Sequence, residues 1–248
     1  MLTQEHNIPV LQKSSFEEQY LPVRNAEQRL YSDEVVRMLP ACAVDHPHAA
    51  EWLHRSRSAF RLIQYLQTNQ PGRILETGCG NGWLANLIAT STTHTIVATD
   101  INQFELEQAK RLFHQKNLQF ICADGNEAIP GLELFDHIVF AASIQYFSSL
   151  SSILNRSLER LTRHGEIHIL DTRFYKSYEV AEARERTRRY YLSLGYPQMI
   201  SNYFHHTREA LQPFRPEFLF NPFSIISRLT RSANEFPWIR IRKSRQKL

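Results

Sequence analysis

Residues 73–89 read RILETGCGNGWLANLIA, an apolar run ending at Glu76, then Gly78, Gly80 and Gly82 at alternate positions, then a helical pattern. Glycine at the end of a strand lets a ligand lie against bare backbone, because no Cβ intervenes and a positive φ is tolerated. The helix that follows turns its partly positive N-terminus toward the same place. The spacing is GxGxG, and Trp83 stands where the dinucleotide fingerprint GxGxxG wants its third glycine. No GKS or GKT follows, which removes a Walker-type phosphate loop. Glu76, two residues before the first glycine, suits a cationic ligand better than a pyrophosphate.

Two acids complete this constellation. IVATDIN places Asp100 at the end of the next apolar run, 24 residues after Glu76, and FICADGNEAI places Asp124 at the end of another. Each acid could instead cap the helical stretch that follows it. Cys79 is expected to pack within the loop, since it has no basic neighbour or second cysteine to activate it. Further on, AASIQYF contains Gln145 and Tyr146, LDTRFY contains Asp171 and Tyr175, and NYFHHTREAL contains His205 and His206. A histidine titrating near neutrality suits removal of a proton from a hydroxyl. Tyr146, His205 and Asp171 are therefore the candidates for catalysis. The competing reading makes the aromatics core residues and the histidines surface ones. HHTRE lacks a second ligand pair, so no metal is expected.

The elements that must position these residues alternate. RILET, HTIVATD, LQFICAD, FDHIVFAA and GEIHILD read as strands, with the helical stretches WLANLIATS, NQFELEQAKRLFHQK and SSLSSILNRSLERLTR between them. The strands are nearly continuous in apolar residues, as expected when both faces are covered. This rhythm predicts a doubly wound, mostly parallel α/β sheet. Before it, residues 1–48 read as loops around one short helix, SDEVVRML, with Ser32 as N-cap. AAEWLHRSRSAFRLIQYLQ is predicted to be an amphipathic helix burying Trp52, Ser56, Ala59, Phe60, Ile63 and Leu66. After Asp171 the rhythm changes. A long helix, YEVAEARERTRRYYLSL, is stopped by Gly195, and SNYFHHTREALQPF holds a short one. PEFLFNP and PWIRIRK read as late strands, and FSIISRLTR (223–231) as a short helix between them.

Composition bounds the rest. The 248 residues suffice for one sizeable domain, and no apolar run is long enough for a membrane span. The start MLTQEHNIPV has no secretory pattern, and three cysteines without a CxxC pair suit a reducing cytoplasm. Residues 1–171 carry 14 Lys and Arg against 19 Asp and Glu, a net of −5, whereas residues 172–248 carry 15 against 6, a net of +9. The basic end, IRIRKSRQKL, could favour an anionic substrate, RNA or acidic lipid, or could be a solvated face.

ILETGCGNGW resembles the first motif, hhExGxGxG, of the class I (Rossmann-like) S-adenosylmethionine-dependent methyltransferases, and is similar to their small-molecule, type 11 branch. The resemblance continues in order through IVATDIN, FICADGNEAI, FDHIVFAAS and LERLTRHGEIHILD, over roughly residues 70–171. His164 replaces the first glycine of the family's usual fifth-strand turn. The resemblance implies a seven-stranded sheet whose last two strands form an antiparallel hairpin. It implies S-adenosyl-L-methionine as cofactor and S-adenosyl-L-homocysteine as product. It assigns the cofactor to Glu76, Thr77, Gly78, Cys79, Gly80, Asn81 and Gly82 in the loop. Asp100 would take the ribose hydroxyls, Ile101 would pack on the adenine, Asp124 with Gly125 would meet its amino group, and Ala141 would lie beside the methionine part. The expected organisation is a helical cap (1–70), the cofactor core (71–171) and a helical cover with the last two strands (172–248), all one integrated domain. No (N/D)PP(Y/F/W) signature follows the fourth strand, which disfavours methylation of amino groups of bases or glutamine. The expected acceptor is a small aromatic or anionic molecule methylated on oxygen, with nitrogen as the second choice. The alternatives are an RNA methyltransferase using the basic end and a non-catalytic protein of this fold.

Overall fold

Seven strands form the centre of the chain in a computed structural model that describes residues 15–125, 134–222 and 236–243. They are β1 (Arg73–Thr77), β2 (Thr95–Asp100), β3 (Leu118–Cys122), β4 (Phe135–Ala141), β5 (Leu161–Leu170), β6 (Glu217–Phe220) and β7 (Trp238–Arg242). Their order across the sheet is β3-β2-β1-β4-β5-β7-β6. The first five run parallel, while β7 is antiparallel to both β5 and β6. The fold is the α/β arrangement the sequence predicts, with the hairpin at one edge. Because β1 lies between β2 and β4, the connections leave in opposite directions from its carboxyl end. That switch point is where open α/β sheets bind ligands.

The apolar strand residues are buried on both faces. Ile74, Ile96 and Val139 pack with helices on one side, and Leu75, Val97 and Ile138 with those on the other. Helices α3 (Ala49–Gln67), α4 (Trp83–Ser91) and α5 (Gln103–Leu112) contribute to the first layer, and α6 (Leu150–Glu159) to the second. Leu62 and Leu66 of α3 are fully buried, so truncating either to alanine would cost about 2–5 kcal/mol.

The buried face of α3 differs from the expected one. Ser58 and Leu62 are buried with Trp52, Ala59, Ile63 and Leu66, whereas Phe60 is 61% exposed and Ser56 only half-buried. The stripe is rotated by part of a turn, so the polar Ser58 meets Asp171 just after β5. Residues 1–48 also hold more structure than expected. Besides α2 (Asp33–Met38), the helix α1 spans Ser15–Ala26 with Pro22 inside it. Its aromatic face lines a cavity and packs with Val23 into a small satellite cluster with Tyr191 and Met199, apart from the sheet core, so core-seeking periodicity misses it. β5 begins at Leu161, four residues before Gly165, and its pairing with β4 shifts register there.

After β5 come α7 (Val180–Leu194), ended by Gly195 at φ 83°, and the single turn α8 (Arg208–Leu211). The helix expected over 223–231, the NEAI segment and the final residues 244–248 lie outside the described residues. Much of the late positive charge is spent within the fold. Arg240 and Arg242 of β7 pair with Glu166 and Glu217, and Arg186 and Arg188 of α7 pair with Glu182 and Glu185. No described helix is long and apolar enough to cross a membrane.

Candidate active site

The carboxyl end of β1 turns into the glycine loop, and three left-handed residues shape it: Gly78 and Gly82 at φ 75° and Gly80 at φ 53°. The N–H groups of Gly78 and Cys79 both donate to the carbonyl of Thr99, at 2.8 and 3.0 Å. The loop is thus tied to the neighbouring strand before it enters α4. At the end of β2, Asp100 holds the same loop from its other side. One carboxylate oxygen accepts the Gly80 N–H at 2.8 Å and the other accepts the Asn102 N–H at 2.9 Å. Asn102 caps α5 through the Glu105 N–H, so the alternative of Asp100 as the helix cap is replaced by its neighbour.

These elements enclose a cavity of about 350 Å³. Thr77, Gly78, Cys79, Gly80, Asn81, Asp100, Ile101, Asp124 and Gly125 all line it. Glu76, Gly82 and Ala141 do not. Glu76 turns toward the first turn of α4, with the Ala85 N–H as a backbone partner, and its Oε2 is buried without one. Burial, with Asp100 nearby, pushes its carboxyl up to about 8. The helix end that would welcome a phosphate therefore already faces a carboxyl group. Gly82 lies under the loop against the Phe120 ring, and Ala142 takes the place at the rim expected of Ala141.

The donor set fits an adenosine bearing a cation. The Asp100 oxygens accept the Gly80 and Asn102 N–H groups, with the Ile101 N–H as a further backbone partner, and the carboxylate retains acceptor capacity for a diol. Burial raises the Asp100 carboxyl from its ordinary value, and the backbone N–H groups of Asn102 and Gly80 oppose that rise. Glu105 also lines the cavity, beneath Gly80, and burial pushes it up to about 7, with Arg24 acting in the opposite direction. No phosphate-binding cation stands at the loop among the described lining residues, apart from Arg24.

Arg24 comes from α1. Phe16, Tyr20 and Arg24 fall four residues apart on one helical face, and all three line the cavity. Sequence reading missed them, although F-x3-Y-x3-R has a helical period; the interior Pro22 masked it. The helix is fixed to the core by Glu17, whose Oε1 accepts the Phe104 N–H at 3.2 Å.

A second cavity, of about 650 Å³, adjoins the first. Both are lined by Arg24, Ala142 and Tyr146. Ala142 follows β4 at φ 53°, held by its N–H on the Leu170 carbonyl, and adds only a methyl group to the junction. Tyr146 packs edge-on against Tyr20 and Tyr203, and burial raises its phenol above the usual value. Asp171 follows β5 at φ 54° and lines the second cavity. It accepts the Ser58 hydroxyl at 2.6 Å, and burial pushes its carboxyl up to about 6 against the pull of Arg55.

Of the three catalytic candidates, the structure brings Tyr146 and Asp171 to the cavities and leaves His205 behind them. The His205 ring sits between Tyr175 and Tyr203, with Nε2 2.9 Å from the Thr187 hydroxyl, and burial lowers its pKa. His206 meets the Ile144 carbonyl at 3.2 Å and Gln145 the Ala142 carbonyl at 2.6 Å, so both brace the loop after β4.

One further cluster invites a metal reading: His137, Glu166 and His168, with His137 Nδ1 3.2 Å from His168 Nε2. Its hydrogen bonds argue otherwise. The Trp238 indole N–H can only donate, and it meets His168 Nδ1 at 3.2 Å. Nδ1 must then be bare, which leaves the proton on Nε2, directed at His137. A metal at Nε2 would require an imidazolate. Glu166 is already engaged by Arg240, Arg242 and the Tyr65 hydroxyl.

This sheet order, the braced glycine loop and the diol-ready acid define a Rossmann-like methyltransferase core. Residues 74–165 match the family described as a methyltransferase domain. Over these residues the chain is similar to a methyltransferase domain, in keeping with the class I S-adenosylmethionine-dependent fold. It is 27% identical over 139 residues to a malonyl-[acyl-carrier protein] O-methyltransferase of Acetivibrio thermocellus, covering 52% of this chain and 49% of that protein. It is 26% identical over 180 residues to a tRNA U34 carboxymethyltransferase of Photobacterium profundum, covering 71% and 52%. The chain thus spans about half the length of the curated relatives it matches. The fold is shared with magnesium protoporphyrin IX methyltransferase of Synechocystis PCC 6803, solved with bound SAH, at TM-score 0.59 and 12% identity over 94% of this chain and 98% of that one.

Proposed function

We propose that this chain binds S-adenosylmethionine in the smaller cavity and transfers its methyl group to an oxygen of a small molecule held in the larger one. The observation that carries this reading is the junction: two cavities meet at Arg24, Ala142 and Tyr146, one lined by the glycine loop and Asp100. When bound, the cofactor supplies a methyl group made electrophilic by a sulfonium. The residues of the chain supply position and environment. Asp100 would take the two ribose hydroxyls, Ile101 and Asp124 would bound the adenine, and the loop backbone would pass the amino-acid part. Helix α1 and the aromatic side chains of residues 146–204 would exclude water from the junction. The O-methyltransferase names of several relatives support oxygen as the acceptor atom.

The test is calorimetric titration with S-adenosylmethionine, S-adenosylhomocysteine and NADH. The first two should bind and NADH should not. Asp100→Ala should weaken both sulfur ligands about 100-fold or more, since two charge-assisted hydrogen bonds are removed. Unchanged affinity in that variant would overturn the assignment of the diol site.

An RNA acceptor is the second reading, favoured by the tRNA-modifying relative matched over 71% of the chain. Against it stands the pairing of Arg240, Arg242, Arg186 and Arg188 with acids of this chain. RNA affinity that falls steeply with salt would support it, and affinity indifferent to salt would remove its electrostatic basis.

A further inference from the structure

We infer that Asp171 is the base of the reaction and that the acceptor is a phenol, whose hydroxyl proton it takes as the methyl group arrives; this rests on the methyltransferase reading above. Asp171 stands beside the junction of the two cavities. β4 and β5 are parallel neighbours in which Ala141 faces Leu170, and the Ala142 N–H donates to the Leu170 carbonyl at 3.0 Å. Ala142 lines both cavities and Asp171 lines the larger one. They are the next residues on adjacent strands, about 5 Å apart. Both leave their strands in the left-handed region, at φ 53° and 54°. Few residues with a side chain adopt that backbone, and those that do gather at turns and functional sites.

The Asp171 carboxylate is held at one oxygen and free at the other. Oδ1 accepts the Ser58 hydroxyl at 2.6 Å, the shortest of three contacts that hydroxyl makes. Oδ2 has no hydrogen-bond partner among the described residues and is not among the sealed-off polar atoms. The other acids of the cavity are engaged, Glu27 by Arg24 and Arg29, and Glu51 by Arg29 and Arg55. Tyr146 keeps its proton, because burial raises its phenol. His54 lines the cavity from α3 with its Nδ1 buried. Burial pushes the Asp171 carboxyl up to about 6; Arg55, the Ser58 hydroxyl and Arg61 restrain that rise and Glu51 adds to it. Arg24 of α1 and Arg186 of α7 face the same cavity. Such a carboxylate is ionised at neutral pH and is a stronger base than an ordinary aspartate.

The walls select a phenol. Tyr146, Tyr191 and Tyr203 line the larger cavity, and Tyr203 packs edge-on against the other two. Rings so placed receive a further ring by edge or offset stacking. A phenol loses its proton at about 10 in water, within reach of this base, whereas an aliphatic alcohol holds its proton far more tightly. The O–H bond breaks toward Oδ2 while a lone pair on the phenol oxygen forms the new O–CH3 bond. The C–S bond breaks and its pair returns to sulfur. The carboxylate becomes a carboxylic acid, the phenol a neutral aryl methyl ether and the sulfonium a neutral thioether. The proton passes from Asp171 to water when the product leaves.

The test uses S-adenosylmethionine tritiated in its methyl group, the purified chain and the low-molecular-mass fraction of an extract of the native cells. Methyl ethers withstand mild alkali and give volatile methyl iodide in hot hydriodic acid. Methyl esters are already lost in alkali, and methylamines resist both. The expected label survives alkali and is released by hydriodic acid. The parent's rate should rise as pH passes about 6 and then level off. Asp171→Asn should lose that rise and about 100-fold or more of the rate. Its residual rate should climb only in alkali, where a phenol ionises unaided and an aliphatic alcohol does not. Its affinity for S-adenosylhomocysteine should stay within about twofold, which shows that the variant is folded, because Asp171 lines only the larger cavity. Label lost in alkali, or resistant to hydriodic acid, would overturn the hydroxyl acceptor and leave the methyltransferase standing. A residual rate that stays flat in alkali would overturn the phenol. A rise near pH 6 that persists in Asp171→Asn, or a variant that no longer binds S-adenosylhomocysteine, would overturn the base. A parent that binds S-adenosylhomocysteine yet labels nothing would overturn the small acceptor, and one that binds none would remove the methyltransferase reading as well.

Discussion

The Gly80 N–H and the Asp100 carboxylate are joined by a 2.8 Å hydrogen bond, so the turn after β1 and the acid after β2 form one unit. The carboxylate of Asp100, which lines the smaller cavity, is set by the loop as much as by its own strand. This is why two motifs 24 residues apart must be read together.

The glycines of this unit have different duties, and substitution should separate them. A Cβ on Gly82 would stand 2.5 Å from the Phe120 ring, at a backbone φ of 75°. Overpacking and left-handed strain together predict a loss of about 2–5 kcal/mol in Gly82→Ala. A Cβ on Gly80 would meet nothing closer than Glu105 at 3.5 Å. Gly80→Ala should lose only about 1–2 kcal/mol. Its methyl would stand beside the cavity, so S-adenosylhomocysteine affinity should fall more than about tenfold. Thermal melts and calorimetry on both variants check this; equal melting temperatures would refute the division of roles.

The part of the ligand-free chain's stability that Glu76 and Glu105 contribute should decline from mildly acid to mildly alkaline pH. Burial raises Glu76 from 4.5 to about 8 and Glu105 from 4.5 to about 7. Between the unfolded and folded values the native state holds protons that the unfolded chain has released, so stability falls as pH rises through that window. Below about 4.5 both states are protonated and this contribution is fully present. Glu105→Gln keeps the shape and cannot ionise. It should melt higher than the parent at pH 8, with the difference vanishing near pH 4. A constant difference across that range would show that Glu105 does not titrate as argued.

The indole–imidazole contact at Trp238 and His168 predicts indifference to metal. With Nδ1 accepting from Trp238, Nε2 carries the proton, and a divalent cation has no lone pair to take there. Zinc or a chelator should leave the melting temperature unchanged, because a ligand that binds only the native state would raise it. A zinc-dependent rise that His168→Phe abolishes would reverse this reading.

Helix α1 should behave as a cover whose anchoring can be loosened without unfolding the core. Glu17 is buried and accepts the Phe104 N–H, and Asn202 donates to Gln19 at 2.7 Å. Glu17→Ala removes the first tie. The expected result is faster proteolytic cleavage within residues 15–30 and weaker S-adenosylhomocysteine binding, with little change in the main melting transition. Unaltered cleavage would place α1 among the permanent parts of the core.

The strand–helix alternation, the glycine loop, Asp100 and Asp124 were legible in the sequence because local rules produce them. Apolar runs buried on both faces make strands, glycine makes left-handed turns, and the motif order fixes which strand ends carry the acids. The tertiary structure decided what local pattern cannot. It turned Glu76 toward α4 and away from the cavity, and it seated His205 behind Tyr203. It rotated α3 so that Ser58 meets Asp171 from 113 residues away. It also folded Phe16, Tyr20 and Arg24 onto the site from a segment whose proline disguised a helix. The larger cavity is assembled from α1, α3, α7 and the ends of β4 and β5, all distant in sequence. A pocket of that kind leaves no spacing to read, because its residues become neighbours only when the sheet brings its strand ends together.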